Sequence, residues 1–217
     1  DKWGLTGLME SHHFGWWPSF VSELAKWSYW TPSPSSDEVL RMIAERDFGT
    51  ENIDTVIEAW KAWSEGIRNY VSTNEDQYGP FRIGPSYPLV FRSDVKIPTV
   101  PYAMFGGNHI CNTNYASADN GRSSLSQFRT PVEIERLGRM REYFQDGTDL
   151  LESTFEALPE SRKLNAFYMI NLGKFIVNCV TTTINVKNWH SIKSKLFLET
   201  DEAKVIEYID NMIEIGQ

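Results

Sequence analysis

The sequence predicts a mainly α-helical chain: a bundle of about six helices, with a long ordered loop region rich in Pro, Gly and aromatic residues and a short N-terminal strand-like segment. Three observations predict it. Apolar residues recur at spacings of three and four in several segments, the pattern of helices with one buried stripe. Helix-start residues (Ser, Thr, Pro and acids) precede several of those segments. Five of the ten prolines fall between Pro80 and Pro101, which excludes long regular helices there and divides the chain into three helices, an excursion and three more helices.

Residues 3–10 read as a short extended stretch whose glycines make it a poor strand without neighbours. A ring-rich turn, SHHFGWW, follows at 11–17, and Pro18 suits the first position of a helix from about Ser19 to Trp30, with Phe20, Leu24 and Trp27 inward. Ser36 is expected to cap the second helix, which carries Asp37 and Glu38 in its first turn and buries Val39, Leu40, Ile43 and Ala44. Gly49 is its natural stop. From Thr50 to about Tyr70, Ile53, Val56, Ile57, Trp60, Trp63 and Ile67 continue the helical pattern.

Residues 74–129 are too aromatic for a disordered linker and are expected to form an ordered excursion packed on the helices, with a short strand near Leu89 to Phe91. Helix resumes where Thr130 caps, Pro131 takes the first position and Glu133 the third. Ile134, Leu137, Phe144, Leu151, Phe155 and Leu158 form a heptad-like seam interrupted by Arg141 and Thr148. From Ser161 to about Val186 the chain is apolar on most faces (Leu164, Phe167 and Phe175 among others), as the central helix of a bundle would be, and Thr181–Thr183 weaken its end. A last helix from about Asp201 is expected to turn Val205, Ile206, Ile209, Met212 and Ile213 inward.

At 217 residues the chain is long enough for a core without staples. Its net charge of −8 argues against a broad cationic surface for nucleic acid or anionic lipid. No run of about 18 uncharged apolar residues suggests a membrane span. Cys111 and Cys179 sit in segments of different character, so free thiols in a reducing, cytoplasmic compartment are expected, with secretion left open. The chain opens at Asp1 without an initiator Met, which leaves cleavage, trimming or excision from a longer protein all open, and its last helix ends without a convincing stop, a second sign of truncation.

The most informative stretch runs from Gly7 to Ser19. If residues 3–9 were a strand of a (β/α)8 barrel, Glu10 would lie at its carboxyl end, where such barrels keep catalytic groups. A carboxylate there can act as general acid or nucleophile on a glycosidic bond, and indoles such as Trp16 and Trp17 stack on the apolar faces of sugars. The alternative is that Glu10 caps the next helix or pairs with a base and the tryptophans are core. His12 and His13 are adjacent and point apart in most backbones, which suits hydrogen bonds to ligand hydroxyls better than a metal. Asp76, Tyr78 and Arg82 lie on a turn-rich stretch whose acids, amide, base and rings suit a polyhydroxylated ligand, or equally a clamp that satisfies buried loop polar groups. No phosphate loop, nucleotide fingerprint, GxSxG elbow or zinc spacing is present, so no cofactor and no metal is implied.

The series Glu10-Ser-His-His-Phe-Gly-Trp-Trp-Pro-Ser-Phe-Val-Ser-Glu-Leu-Ala-Lys, with Asp37-Glu-Val-Leu-Arg, Ala44-Glu-Arg-Asp-Phe-Gly, Ala59-Trp-Lys-Ala-Trp-Ser-Glu and Asp76-Gln-Tyr-Gly-Pro, resembles bacterial glycoside hydrolases related to the β-N-acetylhexosaminidase-like group. The likeness spans roughly residues 5–90. It implies that residues 1–18 are the last strand and loop of an upstream barrel domain, that 19–217 are a helical C-terminal domain with its excursion at 74–129, and that the partner is a carbohydrate. Under it, Glu10 is the candidate catalytic group, with His12, His13, Trp16, Trp17, Asp76, Tyr78 and Arg82 facing the sugar. A non-catalytic helical module that binds a saccharide or a protein is the other reading.

Overall fold

The computed structural model describes residues 19–70, 89, 91 and 126–217. Six helices run through them: α1 (Phe20–Trp27), α2 (Ser36–Phe48), α3 (Ile53–Arg68), α4 (Ser126–Phe155), α5 (Glu160–Leu196) and α6 (Glu202–Gly216), with a 3-10 turn at Thr50–Asn52. The described chain is thus a helical bundle with no strand. The strand-like segment and domain boundary expected at 1–18, and the body of the expected loop region at 74–129, lie outside the described residues.

The centre is an up-down-up arrangement of α3, α4 and α5, whose directions follow from their pairings. Trp63 meets Phe144 and Ala59 meets Gly147, so α3 and α4 run antiparallel. Glu133 reaches Lys187 and Thr148 abuts Gly173, so α4 and α5 are antiparallel as well. A connection of four residues allows this, as in other helical hairpins. The helices α1 and α2 close one end, and α6 packs on α5.

Side chains cap the helices where the sequence calls for caps, one residue away from expectation in two places. Ser19 is the N-cap of α1, exchanging hydrogen bonds with Ser22, and the helix ends at Trp27 rather than Trp30. Pro32 disfavours helical backbone at Thr31, so the preceding turn unwinds. Ser35, not Ser36, caps α2: its hydroxyl accepts from the Glu38 amide while the Glu38 carboxylate accepts from the Ser35 amide at 2.9 Å. The Ser35 hydroxyl, which donates to Glu38 Oε2 at 2.7 Å, and then the Ser35 amide hold the Glu38 carboxyl below the usual carboxylate range.

Gly49 ends α2 with φ +90°. A Cβ there would lie 2.6 Å from Glu51 Oε1 and 2.9 Å from Arg162 Nη1. Gly49→Ala therefore combines a left-handed backbone with a clash, and we expect a loss of about 1–3 kcal/mol in urea unfolding. An unchanged midpoint would show that the α2–α3 junction relaxes freely.

Three expectations for the second half are corrected. Helix is already present at Ser126, so Thr130 is not a cap and Pro131 lies inside α4. Pro131 is the sixth residue of α4, beyond the first four whose N–H groups lack helical partners, so it forgoes one intrahelical bond, and Glu133, freed from capping, is buried against Lys187 instead. The seam through Leu137, Phe144, Leu151 and Leu158 is buried as read, but Met140, not Arg141, occupies the intervening position, and Thr148 continues the seam by donating to the Phe144 carbonyl at 2.6 Å. Finally, α5 continues ten residues past Val186, because the hydroxyls of Thr181, Thr182 and Thr183 bond back to the carbonyls of residues 177, 178 and 179 rather than breaking the helix.

Other faces also differ from the expected pattern. Leu164, Phe167 and Phe175 of α5 are exposed, as are Ile67 of α3 and Ile206, Ile209 and Ile213 of α6. Among the described residues α6 packs chiefly on α5, and Met212 is its buried residue. Leu89 and Phe91 are not in a strand; the Phe91 ring lies 6.0 Å from that of Phe197 at the end of α5.

Candidate functional site

Where the α1 N-terminus and the α2 C-terminus meet α5, they enclose a cleft of about 450 Å³. Phe20, Glu23 and Lys26 face it from α1, Arg46 and Asp47 from α2, and Asn165, Tyr168 and Leu172 from α5. Its apolar wall is anchored in the core. Phe20 stacks on Trp60 at 4.3 Å between ring centroids, the two planes nearly parallel, and the Trp60 indole donates to Met169 Sδ at 3.1 Å.

Its polar wall is built around Asp47. Residues 39, 43, 44, 47 and 48 share the buried face of α2, which places Asp47 among apolar neighbours with 5% of its side chain exposed. A carboxylate so buried needs partners. Arg46 grips it with two parallel bonds of 2.7 Å, from Nε to Oδ1 and from Nη2 to Oδ2, and Asn165 of α5 donates to Oδ1 at 3.0 Å. The remaining terminal nitrogen of the guanidinium, Nη1, donates to Glu23 at 2.6 Å. The hydrogen bonds it donates to Asp47 and then to Glu23 push the Arg46 guanidinium further above its already high range, so it stays charged at every working pH. Arg162 of α5 completes the joint by donating to the Arg46 carbonyl at 3.2 Å, where helix carbonyls lack partners.

The chemistry this allows is binding. Both carboxylates accept from a guanidinium that keeps its proton, which makes Glu23, Arg46 and Asp47 an electrostatic clamp. Cys179 is buried, and desolvation raises its thiol pKa, so it is a poor nucleophile. Among the described residues no three or more His, Cys, Asp or Glu side chains are grouped to hold a metal ion, and no helix is long and apolar enough to cross a membrane.

Compared with known proteins, the chain matches no family model, no curated protein and no solved structure.

Glu10, His12, His13, Trp16, Trp17, Asp76, Tyr78 and Arg82 all lie outside the described residues. The cleft residues were not singled out from the sequence, although one signal for them was there. The stripe Val39, Leu40, Ile43, Ala44 continues to residue 47, and an acid on a buried face flanked by Arg is a charge that must be matched locally. Asn165 and Tyr168 gave no such signal, because their meeting with α2 depends on how α5 crosses it.

Proposed function

We propose that the helical unit binds carbohydrate in this cleft, as the accessory C-terminal region of a glycoside hydrolase. The observation that carries the reading is the pairing of two walls. Tyr168, half exposed, with Phe20 and Leu172 offers apolar surface to the C–H face of a sugar ring, while Glu23, Lys26, Arg46 and Asn165 offer acceptors and donors to its hydroxyls. The hydrolase part rests on the resemblance of residues 5–90, under which Glu10 supplies the acid or nucleophile, and Trp16, Trp17, His12, His13, Asp76, Tyr78 and Arg82 extend the sugar surface.

The test is a calorimetric titration of the full chain with a panel of oligosaccharides, repeated with Tyr168→Ala. Tyr168 is 54% exposed, so the variant keeps its fold. Loss of one stacking partner should weaken binding by about 2- to 10-fold. Failure of every oligosaccharide to bind removes the reading. Equal affinity of the variant moves binding away from this cleft.

The second reading, a protein-binding module, draws on the exposed apolar residues Leu164, Phe167 and Phe175 of α5.

A further inference from the structure

Four charged side chains line the cleft: Glu23, Lys26, Arg46 and Asp47. Two acids and two bases cancel. Arg46 commits Nε, Nη1 and Nη2 to the two carboxylates, which leaves two of its five N–H groups unused. Glu23 meets Arg46 through Oε1 alone, leaving Oε2 as an acceptor. Lys26 stands three residues further along α1, on the same helix face, and its side chain makes no ion pair or hydrogen bond among the described residues. The cleft therefore presents a carboxylate oxygen and an ammonium from one turn of α1, not paired with each other, within a balanced set of charges.

From this juxtaposition we propose that the ligand is an uncharged sugar, held by two adjacent hydroxyls between Glu23 and Lys26. The inference rests on the carbohydrate reading above and narrows it. A hydroxyl both donates and accepts, so in a vicinal diol one hydroxyl gives its proton to Glu23 Oε2 while its neighbour accepts from Lys26 Nζ. Each bond is charge-assisted, yet the ligand brings no net charge to disturb the clamp. A carboxylated or amino sugar would meet like as well as opposite charges in this set, so it gains no net attraction and still gives up the hydration of its own charge.

The experiment titrates the full chain with oligomers of glucose, galacturonic acid and glucosamine of equal length, at low and high NaCl, and repeats the neutral series with Lys26→Met. Lys26 is exposed, so the variant is a surface change whose fold circular dichroism verifies. We expect the neutral oligomer to bind best, with little dependence on salt, and Lys26→Met to weaken it about tenfold. Tighter binding of the uronic or glucosamine oligomer, or unchanged neutral affinity in Lys26→Met, overturns the diol inference and leaves the carbohydrate reading standing. Absence of binding by all three oligomers overturns both.

Discussion

Trp63→Ala will lower the stability of the bundle by about 3–5 kcal/mol, read as a lower urea midpoint at unchanged slope. The indole stands where α3, α4 and α5 meet and is only 4% exposed. It stacks on Phe144 at 5.6 Å and donates to the Phe144 carbonyl at 3.1 Å. Two glycines make room for it. A Cβ at Gly147 would lie 2.7 Å from both the Trp63 Nε1 and the Ala59 carbonyl, and one at Gly173 would collide with Thr148 and the indole ring. The site is thus a large ring in a space cut to its shape, and neighbouring helices cannot collapse into the hole without losing their own contacts. Gly147→Ala should cost about 1–3 kcal/mol through overpacking, despite the better helix propensity of Ala. A loss below about 1 kcal/mol for Trp63→Ala would mean that the three-helix centre repacks and is not organised by this ring.

Lys187→Met will cost a comparable amount, about 3–5 kcal/mol, because it takes the ammonium at 2.6 Å away from the Glu133 carboxylate, which stays buried in the α4–α5 interface. The two side chains are 6% and 4% exposed and their charged atoms 2.6 Å apart. The double variant Glu133→Leu/Lys187→Met should regain part of the loss, since apolar residues of similar size often replace a buried ion pair without penalty. Urea unfolding of the four proteins of the cycle measures the coupling. If the double variant is as unstable as the single one, the pair contributes more than mutual neutralisation. The pair also joins residues 54 apart in the chain, and a one-turn slip of α5 along α4 would separate them, so register is what it specifies.

These two sites show what periodicity reads and what it misses. Residues such as Leu137, Phe144 and Leu151 were legible as core because seven-residue spacing returns a side chain to the same helix face whatever packs there. Trp63 was legible as buried, but not the glycines that house it, since a glycine within a helix has no periodic signal of its own. Glu133 reads as a cap in sequence because the Thr-Pro-Val-Glu order is a start signal; the helix begins earlier, and the same acid turns inward. On α5, composition overstates burial: Leu164, Phe167 and Phe175 are apolar yet exposed, because the face they share is turned away from the described helices that pack on the others.

The cleft follows the same division. Its charged corner was half visible as an Arg-Asp doublet on the inner stripe of α2, whereas Glu23, Asn165 and Tyr168 join it only through the crossing of three helices.

The sequence by itself determined that the chain is helical, where most helices start and stop, and which seams hold the core. Those properties are local: caps, glycine and proline geometry and the 3.6-residue repeat act within a few residues of one another. Only the tertiary structure decided which apolar faces are covered, that Glu133 and Lys187 meet, and that Arg46 clamps two carboxylates beside an aromatic wall. Those depend on contacts between residues distant in the chain, whose partners are chosen by shape and charge once the helices pack.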